Sequence, residues 1–240
     1  MEKIANLDNK NEVLEWLQDR NGLKFHAVSE RLKADRDVIL VAVREFGANL
    51  QYASEELRND KEVVLSALSS WLGSLRHASA NLRSDKEVVA IAIKKNQNNL
   101  QYASEEIKDD KDFILSLPVF TDGIRYASTR LRNDKDIALA IVRKEGMCLQ
   151  FLGDEIRNDL DVVFEATKNY HISVTYAGDK LKQDIGIDGC IEYVERRLFT
   201  EELDRKLPEK KELKDPMSLR DCMTEQNNAA SKTKSNKLKI

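Results

Sequence analysis

Proline, glycine and cysteine are scarce, at 3, 9 and 3 of 240 residues. A β-sandwich or barrel needs turn-forming residues about every 8–12 positions, so this scarcity argues against an all-β fold. Cys148, Cys190 and Cys222 are an odd number at wide spacing, which predicts a reducing, cytoplasmic setting rather than a disulfide framework. There is no apolar run of about 18 residues, and the opening Met1-Glu2-Lys3-Ile4 has neither a basic n-region nor an apolar h-region. No membrane span and no cleaved export signal are expected. Neither sign of charge dominates: 39 Lys and Arg face 42 Asp and Glu, a formal net charge of −3. That balance disfavours a chain built to coat nucleic acid.

The usual carriers of chemistry are missing too. His26, His77 and His171 lie far apart, with no His-x-x-x-His or Cys-x-x-Cys pairing to set metal ligands on one helix face. No glycine-rich phosphate loop and no Gly-x-Ser-x-Gly elbow occurs. Carboxylate pairs such as Glu55-Glu56 are neighbours along a helix and do not face each other. The sequence therefore predicts a non-enzyme with no catalytic residues, no cofactor and no metal.

What is present is a repeat. Asp35, Asp60, Asp85, Asp110, Asp134, Asp159 and Asp184 follow one another at steps of 25 residues, with a single step of 24 in the stretch holding Pro118. Each Asp reads as a helix N-cap, and the acid two positions on (Asp37, Glu62, Glu87, Asp112, Asp136, Asp161) suits the positive end of the macrodipole. The residues that follow are almost continuously apolar, as in Val88-Val89-Ala90-Ile91-Ala92-Ile93, which predicts a leading helix buried on several sides. A buried strand has the same short apolar run. The Asp cap, the interspersed Ala and the basic ends such as Lys94-Lys95 favour helix.

Glycines near the end of the leading helix, Gly22, Gly47, Gly73, Gly123 and Gly146, suggest left-handed C-terminal caps. A second, amphipathic helix is expected next, with apolar positions at i, i+3 and i+7, as in Leu50/Ala53/Leu57 and Leu100/Ala103/Ile107. Asn49, Ser74, Asn99 and Ser173 are candidate caps for its start. Neither helix is long enough to stand alone in water, so burial must come from stacking on the next copy.

The predicted fold is all-α: an α-solenoid of about seven short helix-turn-helix repeats of 25 residues over 1–203. A degenerate first unit occupies about 9–33, and a cap opens at Asp184 and runs to about 203. Residues 204–240 hold 10 Lys and Arg against 6 acids and read as a polar, basic, disordered tail, with a short helix near 217–223.

The pattern Leu-x-x-Ala-Ser-x-x-Leu-Arg-x-Asp-Lys-Glu-Val-Val, seen at Leu50 to Val64 and Leu75 to Val89, resembles the repeat family known as domain of unknown function 4116, over roughly residues 12–198. That family occurs in tandem in proteins of amoeba-associated intracellular bacteria and some protists, and has no established activity. The resemblance implies a repeat scaffold without an active site. From that occurrence it also implies a bacterial effector delivered into a host cell, with the tail as an export signal.

Two ladders are candidate binding features. Tyr52, His77, Tyr102, Tyr126, Phe151 and Tyr176 recur two places after the first apolar position of the second helix. They either pack on the neighbouring unit or line a surface as aromatic anchors for a protein partner. Lys33, Arg58, Arg83, Lys108, Arg132, Arg157 and Lys182 recur at the end of that helix. They either complement its negative end or project as a positive stripe for acidic protein, anionic lipid or nucleic acid. The expectation is a monomer that binds a protein along an extended face, with nucleic acid or anionic lipid as the alternative.

Overall fold

A computed structural model describes residues 7–18, 22–117 and 121–206. The described residues are helical throughout, with no strand among them. The chain divides into two units, 1–192 and 193–240. The first contains the repeats.

Leading helices occupy Lys10–Gln18 (α1), Arg36–Glu45 (α3), Lys61–Ser70 (α5), Lys86–Lys95 (α7), Lys111–Ser116 (α9), Lys135–Val142 (α11) and Leu160–Asn169 (α13). Each starts as the Asp register predicts. The Asp35, Asp60, Asp85, Asp134 and Asp159 carboxylates accept from the backbone N–H groups two and three residues on, and Asp110 accepts from Phe113 N–H. Asn9 does the same for α1, accepting from Asn11 and Glu12. Two of the orphan donors of a first turn are thereby satisfied. The apolar runs then bury: Val63, Val64, Ala67 and Leu68 of α5 are fully covered, as are Val88, Val89 and Ala92 of α7.

The second helix is not one helix. In the first six repeats a 3-10 segment (for example Gly47–Tyr52 and Gln97–Tyr102) is followed by two extended or cap residues and then a single α turn, whereas His171–Tyr176 leads into a longer helical span. The turns are Glu30–Lys33 (α2), Glu55–Arg58 (α4), Ala80–Arg83 (α6), Glu105–Lys108 (α8), Thr129–Arg132 (α10) and Asp154–Arg157 (α12). The predicted apolar triads are nevertheless buried throughout, from Phe25, Val28 and Leu32 to Val174, Ala177 and Leu181.

The break has a physical cause in the neighbouring copy. Ala53 and Ser54 are extended (ψ 150° and 162°), so Ser54 N–H donates to Lys33 C=O of the preceding repeat at 3.1 Å. The link recurs from Ser79 to Arg58, Ser104 to Arg83, Ser128 to Lys108, Gly153 to Arg132 and Gly178 to Arg157, at 2.6–3.0 Å. An unbroken helix would spend that N–H on its own fourth-previous carbonyl and lose the link. The serine hydroxyl then caps the short turn, accepting from Leu57 N–H in α4 and from its counterparts in α2, α6, α8 and α10.

Two expectations about the turns are corrected. Gly47, Gly73 and Gly146 are not left-handed; the glycine with positive φ among the described residues is Gly186, at 72°. Gly47 and Gly146 are required by close approach, because a Cβ there would stand 2.2 Å from Ala67 C=O and 2.3 Å from Ala166 C=O in the next leading helix. Asn49, Asn99 and Ser74 do not cap the second segment. They donate backwards to Ala42, Ala92 and Ala67 C=O, at 3.0, 2.9 and 2.9 Å, and satisfy the carbonyl end of the leading helix.

Asp184 does not open a helix. It lies inside Asp179–Lys206 (α14), two residues before Gly186 (ψ 170°), where a kink divides the span into two helices. That span takes in Asp204–Lys206, three residues read as tail; the rest of the expected tail, with its short helix near 217–223, lies outside the described residues.

Candidate interaction surface

The residue just after each cap explains the Asp-Lys-Glu text. Lys10 reaches Asp35, Arg36 reaches Asp60, Lys61 reaches Asp85, Lys86 reaches Asp110, Lys111 reaches Asp134 and Lys135 reaches Asp159, at 2.5–2.9 Å. Five of these cations also meet the acid two places on, such as Glu62 and Glu87. One edge of the repeats is therefore a closed ion-pair ladder between copies. The cations raise no net charge there, and pairs this exposed contribute little each. The ladder stops at Leu160, where the next Asp, Asp184, is no cap.

The pairing acts on the acids. Arg36, Lys61 and Lys86 hold the Asp60, Asp85 and Asp110 carboxyls below the usual range against a smaller opposing effect of burial, and the capping N–H groups add to the lowering. At Asp35 and Asp134 burial is the largest influence and pushes up, but Lys10 or Lys111 and the amides together outweigh it.

The two predicted ladders lie at the other ends of their segments. Tyr52, His77, Tyr102, Tyr126, Phe151 and Tyr176 each close a 3-10 segment and are half-buried. Lys33, Arg58, Arg83, Lys108, Arg132 and Arg157 each close the short turn that follows, and Lys182 lies early in α14. The structure brings the ladders together across copies. Lys33 Nζ lies 5.8 Å from the Tyr52 ring of the next repeat, and Tyr52 also meets the Phe25 and His26 rings at 6.3 Å. Burial, then the Arg76 and Arg58 charges, holds the His77 pKa below its ordinary value.

Four ladder cations are paired with an acid three residues earlier in their own turn: Lys33 with Glu30, Lys108 with Glu105, Arg157 with Asp154 and Lys182 with Asp179. Lys33 is 8% exposed and also donates to His26 C=O. Arg58, Arg83 and Arg132 have no ion pair among the described residues, and their Nε atoms are buried without a hydrogen-bond partner. An open groove of about 540 Å³ runs past Arg125, Arg132, Phe151 and Arg157, with Asp154 and Glu155 on the same wall. Arg125 stacks over Phe151 at 4.1 Å.

A further surface escaped the sequence reading. Five exposed large apolar side chains of the repeats, Phe46, Leu72, Leu115, Tyr170 and Ile172, sit where a leading helix ends or in the turn just after it. Phe46, Trp71 and Tyr170 occupy the same C-cap position of α3, α5 and α13. The signal was available: Phe46 and Trp71 are one repeat apart. It was masked by the regular Tyr row six residues later. The same ends carry Arg44, Lys94, Lys95, Lys144 and Lys168.

Burial pushes the Cys148 thiol up to about 12, with Asp122 adding to it, and raises Cys190 as well. Both are buried free thiols, and a protonated buried thiol is no nucleophile. Among the described residues no group of three or more His, Cys, Asp or Glu could hold a metal ion, and no helix is long and apolar enough to cross a membrane.

The family model described as domain of unknown function (DUF4116) matches residues 35–83, 73–108, 85–117, 122–157 and 134–182, together more than half of the chain. No curated protein and no solved structure matches it.

Proposed function

We propose, from the premise that this chain belongs to the family of domain of unknown function (DUF4116), that it is a non-enzymatic repeat scaffold which binds another protein along an extended face. One observation carries the reading. The exposed apolar side chains of the repeats gather toward the carboxyl end of the leading helix, in the copies led by α3, α5, α9 and α13. Folding leaves them uncovered in four copies, two of them adjacent, and side chains left bare on more than one copy of a stack offer an extended surface to a partner.

The opposite edge is ill suited to the task, because its charges are consumed by the ladder between copies. The alternative, an anionic lipid or nucleic acid on the basic row, is supported by the unpaired Arg58, Arg83 and Arg132 and opposed by the four cations already paired.

Chemical cross-linking through lysine, with a partner captured from the native cell, separates the faces. Cross-links should fall on Lys94, Lys95, Lys144 and Lys168 and spare Lys61, Lys86, Lys111 and Lys135. Cross-links confined to the latter set would sink the proposed face, and binding of RNA or anionic vesicles at low salt in place of protein would favour the alternative.

A further inference from the structure

The apolar edge is not uniform, and one place on it is built more fully than the rest. At the junction of the second and third leading helices, α3 and α5, the Trp71 indole lies between two other rings, Phe46 at 6.4 Å and His77 at 5.8 Å, the latter stacked at 24°. Its six-membered ring also lies over Gly73: a Cβ built there would meet it at 3.0–3.3 Å. Ring, glycine and histidine together hold the indole in one position before anything binds, which is the condition under which an aromatic anchor loses least entropy. Leu72 beside it is 49% exposed.

The charges that act on His77 are those of Arg76 and Arg58, although the turn that ends in Arg58 also carries Glu55 and Glu56. Residues 66–77 contain Arg76 and His77 and no acid; residues 44–52 add Arg44 and one acid, Glu45. Arg44 lines a shallow cleft with Ser66, Ser69 and Ser70, the last of which immediately precedes Trp71. Arg58 and Arg76 both act on His77, and neither has an ion pair among the described residues, in contrast to the cations of the opposite edge. The negative carbonyl ends of α3 and α5 also lie at this edge, where Asn49 and Ser74 take up Ala42 and Ala67 C=O.

We infer that the Phe46, Trp71, Leu72 and His77 cluster, ringed by Arg44, Arg58 and Arg76, is the docking point for an acidic peptide segment of a partner protein, with one bulky apolar side chain laid against the indole. The inference rests on the protein-binding reading and adds to it the partner's chemistry and the place of contact. An apolar residue supplies the buried contact; flanking Asp or Glu side chains answer three guanidinium groups and speed encounter.

The test is selection of a random linear-peptide library against the full chain. The enriched peptides are then synthesised, and their affinity is measured by fluorescence anisotropy for wild type, Leu72→Glu and Arg76→Glu. Both positions are exposed, so circular-dichroism melts should match wild type; Lys180→Glu, exposed on α14, serves as the control. The expected peptides are net negative, carry a Leu, Phe or Trp, and bind each of the two variants about tenfold more weakly or worse while retaining affinity for the control. Peptides that are neutral or basic, or that bind all variants alike, would overturn this docking point and leave the scaffold reading standing. Failure to enrich any peptide on wild type would count against both.

Discussion

Asp60 does two things with one carboxylate, and they can be separated. Oδ1 accepts from Glu62 and Val63 N–H at 2.9 and 3.1 Å, closing the first turn of α5, while Oδ2 receives Arg36 of the preceding copy at 2.8 Å. Asn caps a helix about as well as Asp, so Asp60→Asn removes only the charge pair, an exposed contact of about 0.5 kcal/mol. Asp60→Ala removes the cap as well and should cost about 1–2 kcal/mol. Urea unfolding of the two variants checks the order; equal losses would mean that the cap does not matter here. Capping is thus the reason a capping residue recurs every 25 residues, and pairing with the base of the preceding copy is the reason that residue is an acid.

The short turns show how one repeat element can be built in two ways. In five copies a serine caps its own turn. In the last two its place is taken by Gly153 and Gly178, and an asparagine from the preceding copy fills the space: a Cβ on Gly178 would stand 2.3 Å from Asn158 Oδ1. Asn158 Oδ1 accepts from Leu181 N–H at 2.8 Å, the same position of the turn that serine serves elsewhere. Gly178→Ser alone should therefore destabilise by about 1–3 kcal/mol through overpacking. Asn158→Ala alone should cost about 1 kcal/mol through the lost acceptor. Combined, they restore the serine arrangement, and the double variant should be more stable than additivity predicts by about 1 kcal/mol or more in a double-mutant cycle. Additive losses would show that the two residues do not share one cap.

Across the repeats, stability is a sum of units and of the interfaces between them, and the interface ladder is made of ionised groups. Five cap acids have folded pKa values below their ordinary range. A depressed carboxylate stabilises fully above its unfolded value and loses that contribution as pH falls through the folded value. The carboxylates' contribution should therefore be level from neutral pH down to about 5 and decline below about 4, while His77, held below its ordinary value, removes some stability as pH falls below about 6.5. Lys10, Lys61, Lys111 and Lys135 are raised by their carboxylate partners, so their share is complete below the unfolded lysine value and lost above it, beyond about pH 10.4. Urea midpoints measured from pH 3 to 7 for wild type and for Lys61→Met should converge as the pH drops; a constant gap would remove the ladder from the account.

Much was legible in the residues alone. The Asp register marked the start of each of the six leading helices from α3 to α13, because a cap is a contact within four residues and needs nothing from elsewhere. The apolar triads named the buried positions for the same reason: their spacing already says which side chains face one way. The broken second helix was hidden, since a propensity argument counts hydrogen bonds inside a segment, whereas Ser54 N–H goes to Lys33 in another copy. Gly47 likewise looked like a helix stop, but its need for glycine comes from Ala67 C=O, twenty residues away in sequence and 2.2 Å away from any Cβ. The Trp71 cluster belongs to the same class. Rings on α3, α5 and the following turn meet only once the copies stack, and which apolar side chains remain uncovered is settled by what the neighbouring copy fails to reach.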